Sequence, residues 1–153
     1  MMRNLTPLFH QRGLALVETA ITLPFLLFVM LASTEFTNAF VEHTTLTKAV
    51  RDGARYAAEE AIDGTLTMNL SAALRNETRN LVVYGNTAGT GTPAVDGLTT
   101  GDVTVSDVGG NNIEVSVNYA YTGILGSVLP SFGYGSDHSL LFNLRATVTM
   151  RAL

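Results

Sequence analysis

Apolar residues crowd the first third of the chain and alternate with polar ones near its end. From Leu14 to Thr34 a single carboxylate, Glu18, interrupts the run, and no charge stands between Glu18 and Glu35. About twenty apolar residues carry a helix across the hydrocarbon core of a bilayer. The stretch therefore reads as a membrane span with an acid near its start. Beyond Glu35, the residues Phe36, Ala39, Phe40, Leu46, Ala49, Val50, Ala54 and Ala57 keep mostly helical spacing. Glu42, Lys48, Arg51, Asp52, Arg55 and Glu59 fill the other positions. One helix from about Leu14 to about Glu60 is expected, roughly 70 Å long. Pro24 removes a backbone donor inside it, which either kinks the helix or is tolerated as prolines are in membrane helices. The neighbouring Thr22 hydroxyl is a candidate to satisfy the freed groups. Gly53 costs about 1 kcal/mol relative to Ala in a helix, and a close helix–sheet contact would explain it.

The pattern then changes. Ile62-Asp63-Gly64-Thr65 ends the helix. Thr67 or Asn69 is placed to cap a second helix from about Leu70 to Val82, with Leu70, Ala73, Leu74 and Leu81 inward and Arg75, Glu77 and Arg79 toward water. The Gly-, Thr- and Asn-rich run from Tyr84 to Gly97 reads as a loop and as the most mobile part of the chain. Asp102–Val108 alternates with period two, Gly109–Asn112 is a turn, and Ile113–Tyr121 alternates again, a hairpin signal. Residues 122–136 form a loop in which a short helical turn is expected. Leu140–Met150 is the clearest half-buried strand, with Phe142, Leu144, Ala146, Val148 and Met150 on one face. The expected fold class is α+β: a long N-terminal helix, membrane-spanning and then amphipathic, packed on a small antiparallel sheet of about three strands.

Composition narrows the function. Charged residues are only 14% of the chain, and there is no cysteine, which removes thiol catalysis, thiolate metal sites and disulfides. Residues 1–13 carry Arg3 and Arg12 and no acid, whereas the rest of the chain is net acidic. Basic residues ahead of a first span hold that end in the cytoplasm, so the remainder is expected outside. No basic cluster suits nucleic acid. The apolar core is longer than that of a secretory signal, and the only loosely suitable cleavage site lies near Leu31-Ala32-Ser33.

A search for chemistry finds little. His10, His43 and His138 match no zinc spacing, and His43 is expected as a surface polar group. Ser127 and Ser131 lack a nucleophile context. Gly85–Gly91 lacks the lysine of a phosphate loop. Asp102, Asp107 and Glu114 do not follow a calcium-loop spacing and are expected as solvated turn residues. No enzyme, metal or cofactor is expected.

Glu18 is the sharp feature. A carboxylate at a bilayer centre costs roughly 2.5–3.5 kcal/mol, less near an interface. Either Glu18 snorkels to the headgroups or it pairs with a cation. Cutting the chain after Gly13 would create one, the free amine of Leu14, with a pKa of about 8.

Gly13 followed by an apolar run with Glu18 fifth after it resembles the processing site of type IV prepilins. The wider set is more specific: Leu14–Ala20, then Leu23-Pro24-Phe25-Leu26-Leu27, then Glu35-Phe36, then Ala49–Ala58. In this order and spacing these blocks resemble the TadE-like family, minor pilins or pseudopilins of the tight-adherence (Flp) pilus, of which TadF is a close relative. The resemblance implies a basic leader (1–13), a transmembrane helix (14–35), its amphipathic continuation (36–60) and an exported domain (61–153), laid out like a pilin. It implies cleavage between Gly13 and Leu14 by a prepilin peptidase and a role for Glu18 in processing or docking. Arg51, Asp52, Gly53 and Arg55 form a family-signature helix face, solvated or turned toward a partner. Implied partners are the peptidase, other minor pilins, the major Flp pilin, the inner-membrane assembly platform and membrane lipid. Thr19, where the major pilin has Tyr after the acid, argues against the major subunit. The competing reading is an uncleaved, single-pass membrane-anchored binding domain.

Overall fold

The computed structural model describes residues 9–62, 68–133 and 135–152, with side chains from residue 13 onward in the first helix. The segments 1–8 and 63–67, which hold most of the basic leader, the expected helix stop and the candidate cap Thr67, lie outside the described residues.

Helix α1 (Phe9–Glu60) is unbroken over 52 residues and contains Pro24. At 1.5 Å per residue it is roughly 80 Å long. It starts earlier than the sequence pattern predicts, because helical geometry runs straight through the Gly13–Leu14 bond. Its most apolar window has a mean hydropathy of 2.2 and holds no fully buried residue, so among the described residues one helix is long and apolar enough to cross a membrane. The hydroxyls on it are satisfied locally: Thr19, Ser33, Thr34, Thr37, Thr44, Thr45 and Thr47 each donate to the carbonyl four residues back. Thr22 does the same, donating to the Glu18 carbonyl at 2.9 Å. The acceptor that Pro24 leaves unpaired is the Ala20 carbonyl, four residues before it, so Thr22 does not compensate the proline.

Helix α2 (Ala72–Tyr84) begins two residues later than expected because Ser71 caps it, its Oγ accepting the Leu74 amide at 3.1 Å. Gly85 closes it in the left-handed conformation. The buried face is Leu74, Thr78, Val82 and Val83. Ala73 is exposed and Leu70 and Leu81 are half-buried, so the buried face is rotated from the expected one toward Thr78, Val82 and Val83. The loop after α2 is not loose. Asn80 holds the Thr87 carbonyl, Asn86 holds Thr90 through both amide and carbonyl, and Ala94 donates to Val83. Val95 and Leu98 are buried in the core. Its glycines serve a packed turn.

The strands follow: β1 (Val103–Gly109), β2 (Asn112–Ala120), β3 (Val128–Leu129), β4 (His138–Ser139) and β5 (Asn143–Arg151). A three-stranded antiparallel sheet has the order β1-β2-β5. The β1–β2 turn is Gly110-Asn111, both at positive φ, as a two-residue hairpin of the favoured twist requires. Ile113, Val115, Val117 and Tyr119 are buried, as the alternation predicts, opposite Met150, Val148, Ala146 and Leu144 on β5. Phe142 precedes β5 and remains partly exposed. The sheet packs on α1 through β2 and β5, and α2 packs on α1 and β1. The core therefore forms around Leu46, Val50, Ala54, Ala57 and Ala61. In place of the expected helical turn, β3 and β4 pair as a small separate ribbon.

Candidate functional site

Three stations along α1 carry the candidate residues. The first is the N-terminal end. Gly13, Leu14 and Glu18 are exposed on the helix surface. A Cβ built on Gly13 meets nothing within 4 Å, so nothing in the fold itself demands glycine there. Among the described residues Glu18 makes no ion pair, and the one ion pair is Arg55–Glu59 at 2.9 Å.

The third station is the Arg51–Arg55 block. Arg51, Asp52 and Arg55 are exposed, and Arg55 pairs with Glu59 one turn on. Gly53 is buried. A Cβ there would collide with Cγ2 of Val82 and touch Thr78. The close approach that the glycine permits is therefore between α1 and α2, not between helix and sheet. Nearby, the Tyr56 hydroxyl donates to Glu77 at 2.9 Å. Burial above all, then the hydrogen bond to Glu77, pushes the Tyr56 phenol up to about 12. Glu77 is thus half-buried and engaged rather than solvated. Arg79, expected in water, has a buried Nε with no hydrogen-bond partner among the described residues.

The second station went unrecognised in the sequence. Glu35, placed there at the end of the span, is only 3% exposed. Its Oε2 accepts the Tyr121 hydroxyl at 2.8 Å and its Oε1 accepts the Leu125 amide at 2.6 Å. Asn38 donates to both the Tyr121 hydroxyl, at 3.2 Å, and Glu42, at 3.1 Å. The chain passes over Glu35 at Gly123, where a Cβ would stand 2.8 Å from the carboxylate and from the Gly126 carbonyl. Burial raises the Tyr121 phenol; the Asn38 bond opposes this, and the bond to Glu35 adds to it. Burial likewise raises Glu42, against the Asn38 bond and with the help of the Asp96 and Glu35 charges. The available signals were an acid at an apolar boundary and a Gly123-Ile124-Leu125-Gly126 turn just after a strand, but nothing local links them across 86 residues.

Beside this knot runs an apolar groove of about 420 Å³, lined by Ala32, Phe36, Ala39, Phe40, Leu129 and Phe142 among others. Phe36 and Phe40 are 81% and 68% exposed, so the lower part of the expected apolar stripe is not covered by this chain. His43, expected as a surface group, lines the groove with its Nε2 3.2 Å from the Arg145 carbonyl. The acidic residues weighed as a calcium set do not converge: Asp102 accepts the Thr99 amide and Asp107 the Gly109 amide, whereas Glu114, expected in a solvated turn, is half-buried within β2. Among the described residues no cluster suits a metal ion.

No curated protein and no solved structure matches the chain. The family model described as TadE-like protein matches residues 13–55. That segment begins at the exposed Gly13–Leu14 bond, passes through Glu18 and the buried Glu35, and ends at the signature block where α1 meets α2. Across residues 13–55 the chain is similar to the TadE-like proteins, a match that supports a TadE-like protein of the tight-adherence system.

Proposed function

We propose that the protein is a minor pilin or pseudopilin that takes part in assembling a Flp-type tight-adherence pilus. It is a structural subunit and not a catalyst. In this reading a prepilin peptidase cuts after Gly13. The subunit waits in the inner membrane with its N-terminus cytoplasmic and its C-terminal domain periplasmic, and is then drawn into the fibre with other minor pilins and the major pilin. The observation that supports this best is the layout of the TadE-like segment. An exposed Gly-Leu bond is followed at once by a largely exposed apolar run, Leu14 to Thr34, whose only carboxylate, Glu18, has no ion-pair partner of its own chain among the described residues. Such a carboxylate in lipid is costly unless another subunit supplies a cation, and the new Leu14 amine of a neighbour fits that need. Mass spectrometry of the membrane form tests the cut. A mature chain starting at Leu14, lost in a peptidase-deficient strain, is expected. An intact residue 1–13 segment in the functional protein would refute processing and favour the uncleaved anchor.

A further inference from the structure

The segment from Thr122 to Phe142 hangs beside the lipid-facing part of α1. The His138 ring lies 6.2 Å from the Phe28 ring, centroid to centroid. Phe28 is seven residues before Glu35, about 10 Å farther down the axis at 1.5 Å per residue. Between Gly13 and Thr34 every residue is exposed except Pro24, Phe28, Leu31 and Ala32. Those four are half-buried and fall at i, i+4, i+7 and i+8, one stripe of the helix. Most of the span is bare, while Phe28 and Ala32 on that stripe meet the C-terminal domain, at His138 and at the groove lined by Leu129 and Phe142.

We propose that this segment is itself membrane-inserted, seated in the headgroup and upper acyl layer on the side of the C-terminal domain. The proposal rests on the reading of α1 as a membrane span. Its occupant is lipid, because the medium that surrounds Phe28 must also meet the chain packed against Phe28. The chemistry of the segment agrees. Ile124, Leu125, Val128, Phe132, Leu141 and Phe142 all face outward. The segment has no Lys or Arg, and its one carboxylate, Asp137, is engaged with the Ser131 amide. Insertion therefore draws on apolar burial and not on anionic headgroups. The Glu35 knot fits the same depth. Glu35, at the end of the span, keeps both oxygens on donors of its own chain, as a polar group near hydrocarbon must.

The protein has no tryptophan, so single-Trp variants of the full chain in phosphatidylcholine vesicles report each position. The quenchers are phosphatidylcholines brominated either high or low on the acyl chain. Phe132→Trp and Ile124→Trp are expected to emit at blue-shifted wavelengths and to lose more intensity to the high than to the low bromines. Met30→Trp, on the bare span, should be quenched in either lipid. Val108→Trp, near the hairpin tip, should be red-shifted and unquenched. If Met30→Trp is quenched while the 132 and 124 probes behave like 108, the span stands and this inference fails. If those two probes are blue-shifted but unquenched, protein covers the segment, as a second copy would, and the inference also fails. An unquenched Met30→Trp would overturn the span and the inference together.

Discussion

Gly53 gives the sharpest quantitative test of how the helices meet. It is buried, and a Cβ there collides with Cγ2 of Val82, itself fully buried on α2. Gly53→Ala gains about 1 kcal/mol of helix propensity. It also overpacks the α1–α2 contact, at a cost of about 1–3 kcal/mol. A net loss of about 1 kcal/mol is expected from these two effects. Val82→Ala removes two buried methyls at about 0.8 kcal/mol each and leaves a cavity, for a loss of about 2 kcal/mol. In the double variant the methyl introduced at position 53 occupies the space that Val82 vacated. The clash disappears, the cavity shrinks and the helix gain remains, so the loss falls to about 1 kcal/mol against about 3 for the sum, a coupling of about 2 kcal/mol. Denaturant unfolding of the full chain in detergent, followed by circular dichroism, measures all four corners of the cycle. Additive losses, within about 0.5 kcal/mol, would refute the claim that Gly53 is there to admit Val82.

Other outcomes follow from the remaining stations. Glu18→Gln and Glu18→Ala should both impair pilus formation, scored by electron microscopy of complemented cells; normal fibres in both would remove the proposed docking pair. Glu35→Ala deletes the acceptor of two hydrogen bonds, each worth about 1.5–3 kcal/mol when charge-assisted. It should lower the melting temperature and speed amide exchange at Leu125, whereas Tyr121→Phe, which leaves the Leu125 amide paired, should do less. An unchanged Leu125 exchange rate in Glu35→Ala would contradict the knot. Tyr56 is raised from 10.0 to about 12, so the folded state holds a proton that the unfolded state releases first. Its stabilisation is complete below pH 10 and lost as pH climbs toward 12. Tyr56→Phe should flatten that part of the stability profile, and absorbance titration of tyrosinate should show the late-titrating phenol missing.

What could be read in the sequence divides by physical cause. Periodicity reports a face buried by the element's own neighbours, so β2 and β5 emerged with the right residues inward. The upper half of α1, from Leu46 to Ala57, did likewise. Phe36 and Phe40 kept the same spacing but are bare, because spacing cannot say which medium covers a face. The start of α2 depended on its cap, and Ser71 and Asn69 are equally good caps in isolation. The loop after α2 was misread because composition registers glycine's freedom and not the Asn80 and Asn86 amides that remove it. The Glu35 knot escaped altogether. A carboxylate at the end of an apolar run reads as the edge of a span, and its donors arrive from the far end of the chain.

The unbroken course of α1 has one more consequence. Glu18 and Glu35 stand about 25 Å apart along its axis and about 100° apart around it, at 1.5 Å and 100° per residue. Glu35 is bolted to the Tyr121–Leu125 turn, and Leu46 to Ala61 to the core. The compass bearing of Glu18 therefore dictates which way the folded domain points. A neighbour that grips Glu18 also aims everything above it. Deleting one residue between the two acids would swing the domain by about 100° while shortening the rod by only about 1.5 Å. The helix is thus an angular gauge as much as an anchor.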